Sequence, residues 1–246
     1  LNMDLNTRIE NTLTQLRTAI ETYQPSAFSS SLSAEDMVLL DLIERSKLSV
    51  DVFTLDTGRL PEETHEVIGL ARQKYQQRIR VLFPDATDVE SYVNQHGVNG
   101  FYKSTDLRKR CCQIRKVGPI KRGLKGKKLW ITGLRSAQST ATRSHLEALA
   151  WDETYGLYKA NPMLDWTTKD IFAYVAKYDV PISNLYQKGY TSIGCAPCTR
   201  PITSGESERA GRWWWEESDN RECGLHVDAH GRLVREVLSN DKNGNS

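Results

Sequence analysis

The chain predicts an α/β fold with a mostly parallel sheet, on three observations. Short strand-like runs alternate with helix-like runs through the first two thirds of its 246 residues. Helix-start residues, Ser33 and Pro61, stand just after two of the strands. Loops rich in Ser, Thr, Gly and Asp follow the strands, and sheets of this class hold ligands beyond their carboxyl ends.

Taken in order, the first two dozen residues are polar, with Ile9, Leu13, Leu16 and Ile20 at helical spacing. This reads as an amphipathic surface helix and not as a signal peptide, which needs a compact apolar run. A strand is expected over Ala27–Ser31, then a helix over Glu35–Arg45 that buries Met37, Val38, Leu40 and Leu42. Val50–Leu55 is a β-branched strand, and Pro61–Tyr75 opens a helix with proline. Further strands are expected over Ile79–Phe83 and Leu129–Thr132, and helices over Asp88–Gln95, Cys112–Leu124 and Thr167–Lys177. Gly118-Pro119 should kink or restart the second of these helices. After Thr199 the pattern breaks down, so residues 1–199 are read as the α/β domain and 200–246 as a loop-rich C-terminal segment, frayed at Ser239–Ser246.

Composition is that of a soluble globular protein, at 39% hydrophobic and 26% charged. No run approaches the roughly 18 apolar residues that cross a bilayer, so a membrane protein is not expected. Without an export signal a reducing cytoplasm is the expected location, where paired cysteines bind metal or do redox work more often than they form disulfides. Between Lys103 and Lys128 stand eleven Lys or Arg and one acid, Asp106. That stretch allows nucleic-acid binding, but it encloses Cys111 and Cys112, so an anionic small ligand is an equal reading.

Three loops are candidate ligand sites. Ser29–Asp36 leads small hydroxyl residues into a helix N-terminus, as a phosphate site does, although Ser33 as N-cap with Asp36 completing a capping box explains it without a ligand. Leu55-Asp56-Thr57-Gly58-Arg59 offers an acid at a strand end to a ribose or base, or is an ordinary turn. Thr132-Gly133-Leu134-Arg135 and the later Arg143 offer close backbone approach and two guanidinium forks for phosphate oxygens, or surface charges. One nucleotide can span all three.

The five cysteines are more specific. Cys111-Cys112 and Cys195-Ala196-Pro197-Cys198 make two close pairs, suited to a metal or an iron–sulfur cluster. Zinc is the main competitor, but adjacent cysteines on a helix diverge and suit different irons of a cluster better. Cys223 stands alone in Glu-Cys-Gly-Leu-His, with Arg209, Arg212 and His226 as cations that favour its thiolate. With the other four thiols engaged, it has no internal disulfide partner, and a redox cycle through it needs an outside thiol.

These residues together resemble the assimilatory phosphosulfate reductases, specifically the cluster-bearing adenylyl-sulfate (APS) branch. The motifs are Ser-Leu-Ser-Ala-Glu-Asp at 31–36, Leu-Asp-Thr-Gly-Arg at 55–59, Cys-Cys at 111–112, Thr-Gly-Leu-Arg at 132–135, Cys-Ala-Pro-Cys at 195–198, Glu-Arg-Ala-Gly-Arg-Trp at 208–213 and Glu-Cys-Gly-Leu-His at 222–226. The resemblance implies a single Rossmann-like, adenine-nucleotide α-hydrolase-like domain with a mobile C-terminal tail. It implies one 4Fe-4S cluster per subunit on Cys111, Cys112, Cys195 and Cys198. It implies that Cys223 attacks the sulfur of APS, that AMP leaves, and that thioredoxin or a glutaredoxin-like dithiol then releases sulfite. Lys116, Arg209, Arg212 and His226 would contact the sulfate, Arg143 the α-phosphate, and Ser31, Ser33, Leu55 and Gly133 the nucleoside and phosphate. Neither nucleic acid nor membrane is then expected as a partner, and a homo-oligomer is left open. A PAPS reductase, or dual specificity, is the near alternative. A non-enzymatic, metal-dependent nucleic-acid-binding protein is the distant one.

Overall fold

The structure, a computed structural model, describes residues 3–75, 79–136 and 146–217. Its centre is a six-stranded sheet in the order β3-β2-β1-β4-β6-β5. The strands are β1 (Ser26–Ser30), β2 (Asp51–Leu55), β3 (Arg80–Leu82), β4 (Leu129–Ile131), β5 (Leu149–Asp152) and β6 (Leu157–Ala160). All pairings are parallel except β5 with β6, an antiparallel hairpin at one edge. The helices are α1 (Leu5–Thr22), α2 (Ala34–Arg45), α3 (Glu62–Tyr75), α4 (Ala86–His96), α5 (Thr105–Cys112), α6 (Gly118–Leu124) and α7 (Thr168–Tyr178).

Helices cover both faces, as buried parallel strands require. On one side Phe28, Val52 and Ile131 meet Leu16 and Ile20 of α1, Leu39 and Ile43 of α2, and Ile171 of α7. On the other, Ala27, Phe53 and Trp130 meet Ile120 and Leu124 of α6. Each large side chain so buried contributes about 1.5–3 kcal/mol. The apolar stripe read on α1 is the face it buries, and Asp4 caps the helix by accepting from the N–H groups of Asn6 and Thr7.

Three features depart from the sequence expectations. The helix expected from Cys112 begins at Thr105, capped by Ser104, so both adjacent cysteines lie within α5. The chain then passes through a π turn, Gln113–Val117, before α6. Gly118-Pro119 restarts the helix as α6, as expected, with Pro119 in the first turn, where a missing N–H leaves no intrahelical bond unmade. The hairpin β5–β6 was not expected from the sequence. Its strands have four residues each, and β5 alternates only between exposed and half-buried positions, which is little apolar contrast to read. Among the described residues no helix is long and apolar enough to cross a membrane.

Candidate active site

Strand order reverses at β1 and β4, and the loops leaving these strands diverge there to open a crevice. A cleft of about 220 Å³ occupies it, with Ser31, Ser33, Leu55 and Gly133 at its walls together with Lys116, Arg209 and Arg212. With Cys195, eight of the site positions singled out from the sequence therefore border one space. Arg143, Cys223 and His226 lie outside the described residues.

A carboxylate that the sequence reading had given a different job organises the end beyond β1 and β4. Ser31 donates both its N–H and its hydroxyl to Asp36 Oδ2, at 2.6 Å each. Gly133 donates its N–H to the same carboxyl, and a Cβ at position 133 would fall 2.0 Å from Asp36 Oδ1. Asp36 thus ties the loop after β1 to the loop after β4. Burial, and next the negative Glu35, hold its pKa up at about 7 against those hydrogen bonds. The expected capping box is absent: Ser33 is the N-cap residue but makes no side-chain cap bond, and Ala34 donates its N–H to the Tyr186 hydroxyl at 2.8 Å.

Two other sequence readings resolve toward local structure. Asp56 accepts from the Gly58 N–H at 2.8 Å and lies 2.9 Å from His65 Nε2, so it closes its own turn and pins α3. Arg135 does not fork toward a phosphate. Its buried guanidinium donates to Glu208, Thr168 and the Trp166 carbonyl.

The opposite end adjoins a small cavity lined by Cys111, Cys112, Cys195 and Cys198. The pairs come from distant stretches, the C-terminal end of α5 and a 3₁₀ turn over Ala196–Cys198. Lys116 and Cys195 border both spaces. Burial, more than any neighbour, pushes the Cys198 thiol up to about 12 and raises that of Cys111, whereas the cations Arg115 and Lys116 pull down on Cys111. Thr57 Oγ1 lies 3.2 Å from Cys195 Sγ. Trp213, fully buried at 0% exposure, packs on Cys112, and its indole N–H has no acceptor among the described residues.

This donor set fits an iron–sulfur cluster. Four thiolates are its natural ligands, and buried thiols with raised pKa values ionise when a multivalent centre supplies positive charge. Sulfide or thiolate would also give the orphaned Trp213 N–H an acceptor. No three His, Cys, Asp or Glu among the described residues are grouped as ligands of a single metal ion; the four thiols share a cavity and not a point.

From the stretch after Cys198, Arg209 and Arg212 line the cleft and Trp213 lines the thiol cavity. Arg209 and Arg212 belong to a turn closed by the Arg212 N–H donating to the Arg209 carbonyl at 2.9 Å, which places both at the cleft. Arg212 lies across Gly194, where a Cβ would come within 2.4 Å of its guanidinium. The Trp213 ring is held between Arg212 and Arg108, at 4.6 and 4.7 Å from its centroid. Arg108, buried in α5, donates Nε and Nη2 to Glu216 at 3.0 and 2.8 Å. The sequence reading missed Asp36 as a tie, and it missed Arg108, Trp213, Glu208 and Glu216. Glu208, Trp213 and Glu216 lie within or just beyond the Glu-Arg-Ala-Gly-Arg-Trp motif, the one signal that would have found them.

Residues 25–201 match the model of the phosphoadenosine phosphosulfate reductase domain family. A protein of Allochromatium vinosum named adenosine 5'-phosphosulfate reductase is 49% identical over 199 residues, covering 81% of this chain and 77% of its own. One of the same name from Burkholderia cepacia is 44% identical over 227 residues, covering 92% of this chain and 90% of its own. The fold matches the crystal structure of phosphoadenylyl-sulfate reductase from Candida auris, in its phosphate complex, with a TM-score of 0.65 at 24% identity, covering 81% of this chain and 99% of that one. A cleft at the sheet's reversal point, a four-thiol cavity beside it and these matches agree: the chain belongs to the phosphoadenosine phosphosulfate reductase family.

Proposed function

We propose that this protein reduces adenosine 5'-phosphosulfate to sulfite and AMP, in sulfate assimilation, through an S-sulfocysteine on Cys223. The reading is carried by one observation: the cleft is rich in hydrogen-bonding groups at the end beyond β1 and β4, and cationic at the end bordering the thiols. That polarity suits a nucleoside phosphate whose far end is a sulfate.

Ser31, Ser33, Leu55 and Gly133 hold the nucleoside and phosphate, with Arg143 on the α-phosphate. Lys116, Arg209, Arg212 and His226 surround the sulfate. The Cys223 thiolate attacks sulfur, the sulfur–oxygen bond to phosphate breaks, and AMP departs with the electron pair. Two anions must approach each other in this step, so the clustered cations lower the barrier by offsetting their repulsion and the charge growing on the phosphate. A thiolate of thioredoxin or a similar dithiol then attacks Cys223 Sγ and expels sulfite. The donor's second thiol closes its own disulfide and returns Cys223 as thiolate. The two electrons come from that dithiol, which places the reaction in a reducing compartment, the cytoplasm. Cys111, Cys112, Cys195 and Cys198 would hold a 4Fe-4S cluster, which would supply fixed charge at the cationic end of the cleft.

Mass spectrometry of the protein mixed with APS and no reductant tests this. One added sulfonate group mapped to Cys223, lost in Cys223→Ser with iron retained, is the expected result. No adduct on the wild-type protein overturns the reading. A faster reaction with the 3'-phosphorylated nucleotide would instead make PAPS the substrate.

A further inference from the structure

The turn that carries Arg209 and Arg212 begins at Glu208, whose contacts serve no step above. Its carboxylate accepts from Arg135 Nη2 at 3.3 Å and from the hydroxyl of Thr168, the first residue of α7. Its carbonyl accepts from Thr191 Oγ1 at 2.6 Å. Arg135 is buried, and its other guanidinium nitrogen also reaches Thr168, at 3.2 Å. The carboxylate stands at a helix N-terminus, where the backbone dipole favours a negative charge. Three elements, the loop after β4, α7 and the 191–194 stretch, therefore converge on one residue. Arg209 is next in sequence, and Arg212 follows through its hydrogen bond to the Arg209 carbonyl.

We propose that Glu208, gripped by Arg135 and Thr168, is a positioning residue that fixes Arg209 and Arg212 at the cleft, so the sulfate-binding cations are in place independently of the residues that carry Cys223. The inference rests on the proposed function for what the two arginines bind. Their placement is a property of the described residues alone. A residue that only supported the fold would affect every ligand equally. Glu208 should affect only the part of the substrate those arginines touch, and AMP lacks that part.

The test compares full-length, cluster-loaded wild type with Glu208→Gln, Glu208→Ala and Thr168→Val, measuring AMP affinity, kcat/KM for APS and iron content. Glu208→Ala should lower kcat/KM about 30-fold, as misplacing a charge at a reacting centre does, and leave AMP affinity and iron unchanged. Glu208→Gln, which keeps an acceptor for Arg135, should recover part of that loss. Thr168→Val removes one hydrogen bond to Glu208 and should cost about threefold in kcat/KM alone. Should Glu208→Ala fail to fold, Thr168→Val decides by the same criterion. AMP affinity falling in parallel with kcat/KM, or no change in either, overturns the proposal. Wild-type protein inert toward APS overturns the functional reading as well, whereas active wild type with indifferent variants overturns this proposal alone.

Discussion

At one end of the cleft stand serine hydroxyls, a glycine N–H and a buried carboxyl; at the other stand Lys116, Arg209 and Arg212 beside four thiols. The first end is made by loops that leave β1 and β4, and one residue, Asp36, holds them together. The second draws on the π turn after α5, the turn around Cys195 and the 208–212 turn; the last two are joined outside the sheet by backbone hydrogen bonds from the Arg200 N–H to the Gly211 carbonyl and from the Trp213 N–H to the Cys198 carbonyl. A nucleoside needs a fixed shape, which strand ends supply. On the proposed function a transferring sulfate needs concentrated positive charge, and behind the cleft cations Glu208 pairs with Arg135 and Glu216 with Arg108. Damage to one end should therefore leave the other working.

The largest separation is expected at the thiols. Cys198→Ser should remove iron and lower APS turnover by more than ~100-fold, beyond what loss of an outer contact causes, while AMP binding measured by calorimetry persists. Loss of AMP binding as well would show the two ends to be one structural unit. Gly194→Ala comes next. Its methyl group displaces only the tip of the Arg212 side chain, so kcat/KM should fall about 50-fold with a melting temperature within about 3 °C of wild type. A large drop in melting temperature would mean that Arg212 holds the fold together and does not merely face the cleft.

At the nucleoside end, Asp36→Asn should weaken AMP about tenfold, the value of one charge-assisted hydrogen bond, with the single-turnover rate from saturating APS unchanged. The same variant tests linkage. With its pKa raised from 3.8 to about 7 by burial, the folded protein keeps a proton that the unfolded chain releases in that window. Stability should thus fall as pH rises from about 4 to about 7 and level off above, and the Asn variant should lack this slope in denaturant titrations at several pH values. The smallest effect is expected for Thr57→Val, which removes the hydroxyl beside Cys195 Sγ. Turnover should drop about threefold with iron content unchanged. A full loss of iron would make that hydroxyl a condition for holding the cluster and not an adjustment to it.

The sequence by itself determined the α/β alternation, six of the helical stretches and four strands to within a few residues, because burial on a parallel sheet demands apolar runs and periodic helix faces. It also marked the thiol pairs, Arg209, Arg212 and the serine loop, whose chemistry is carried by residue type, and Lys116 through the family resemblance. Helix α5 escaped because Thr105–Cys112 is mostly charged and polar and shows no apolar stripe. Tertiary structure alone decided which ionic groups face the ligand and which face each other. Arg135 reads from the sequence as a fork for phosphate oxygens, but a carboxylate 73 positions along the chain claims it. Asp36 became a tie between loops only when parallel β1 and β4 came side by side. Charged side chains are long and their partners non-local, so their assignment waits on the fold that brings those partners within about 3 Å.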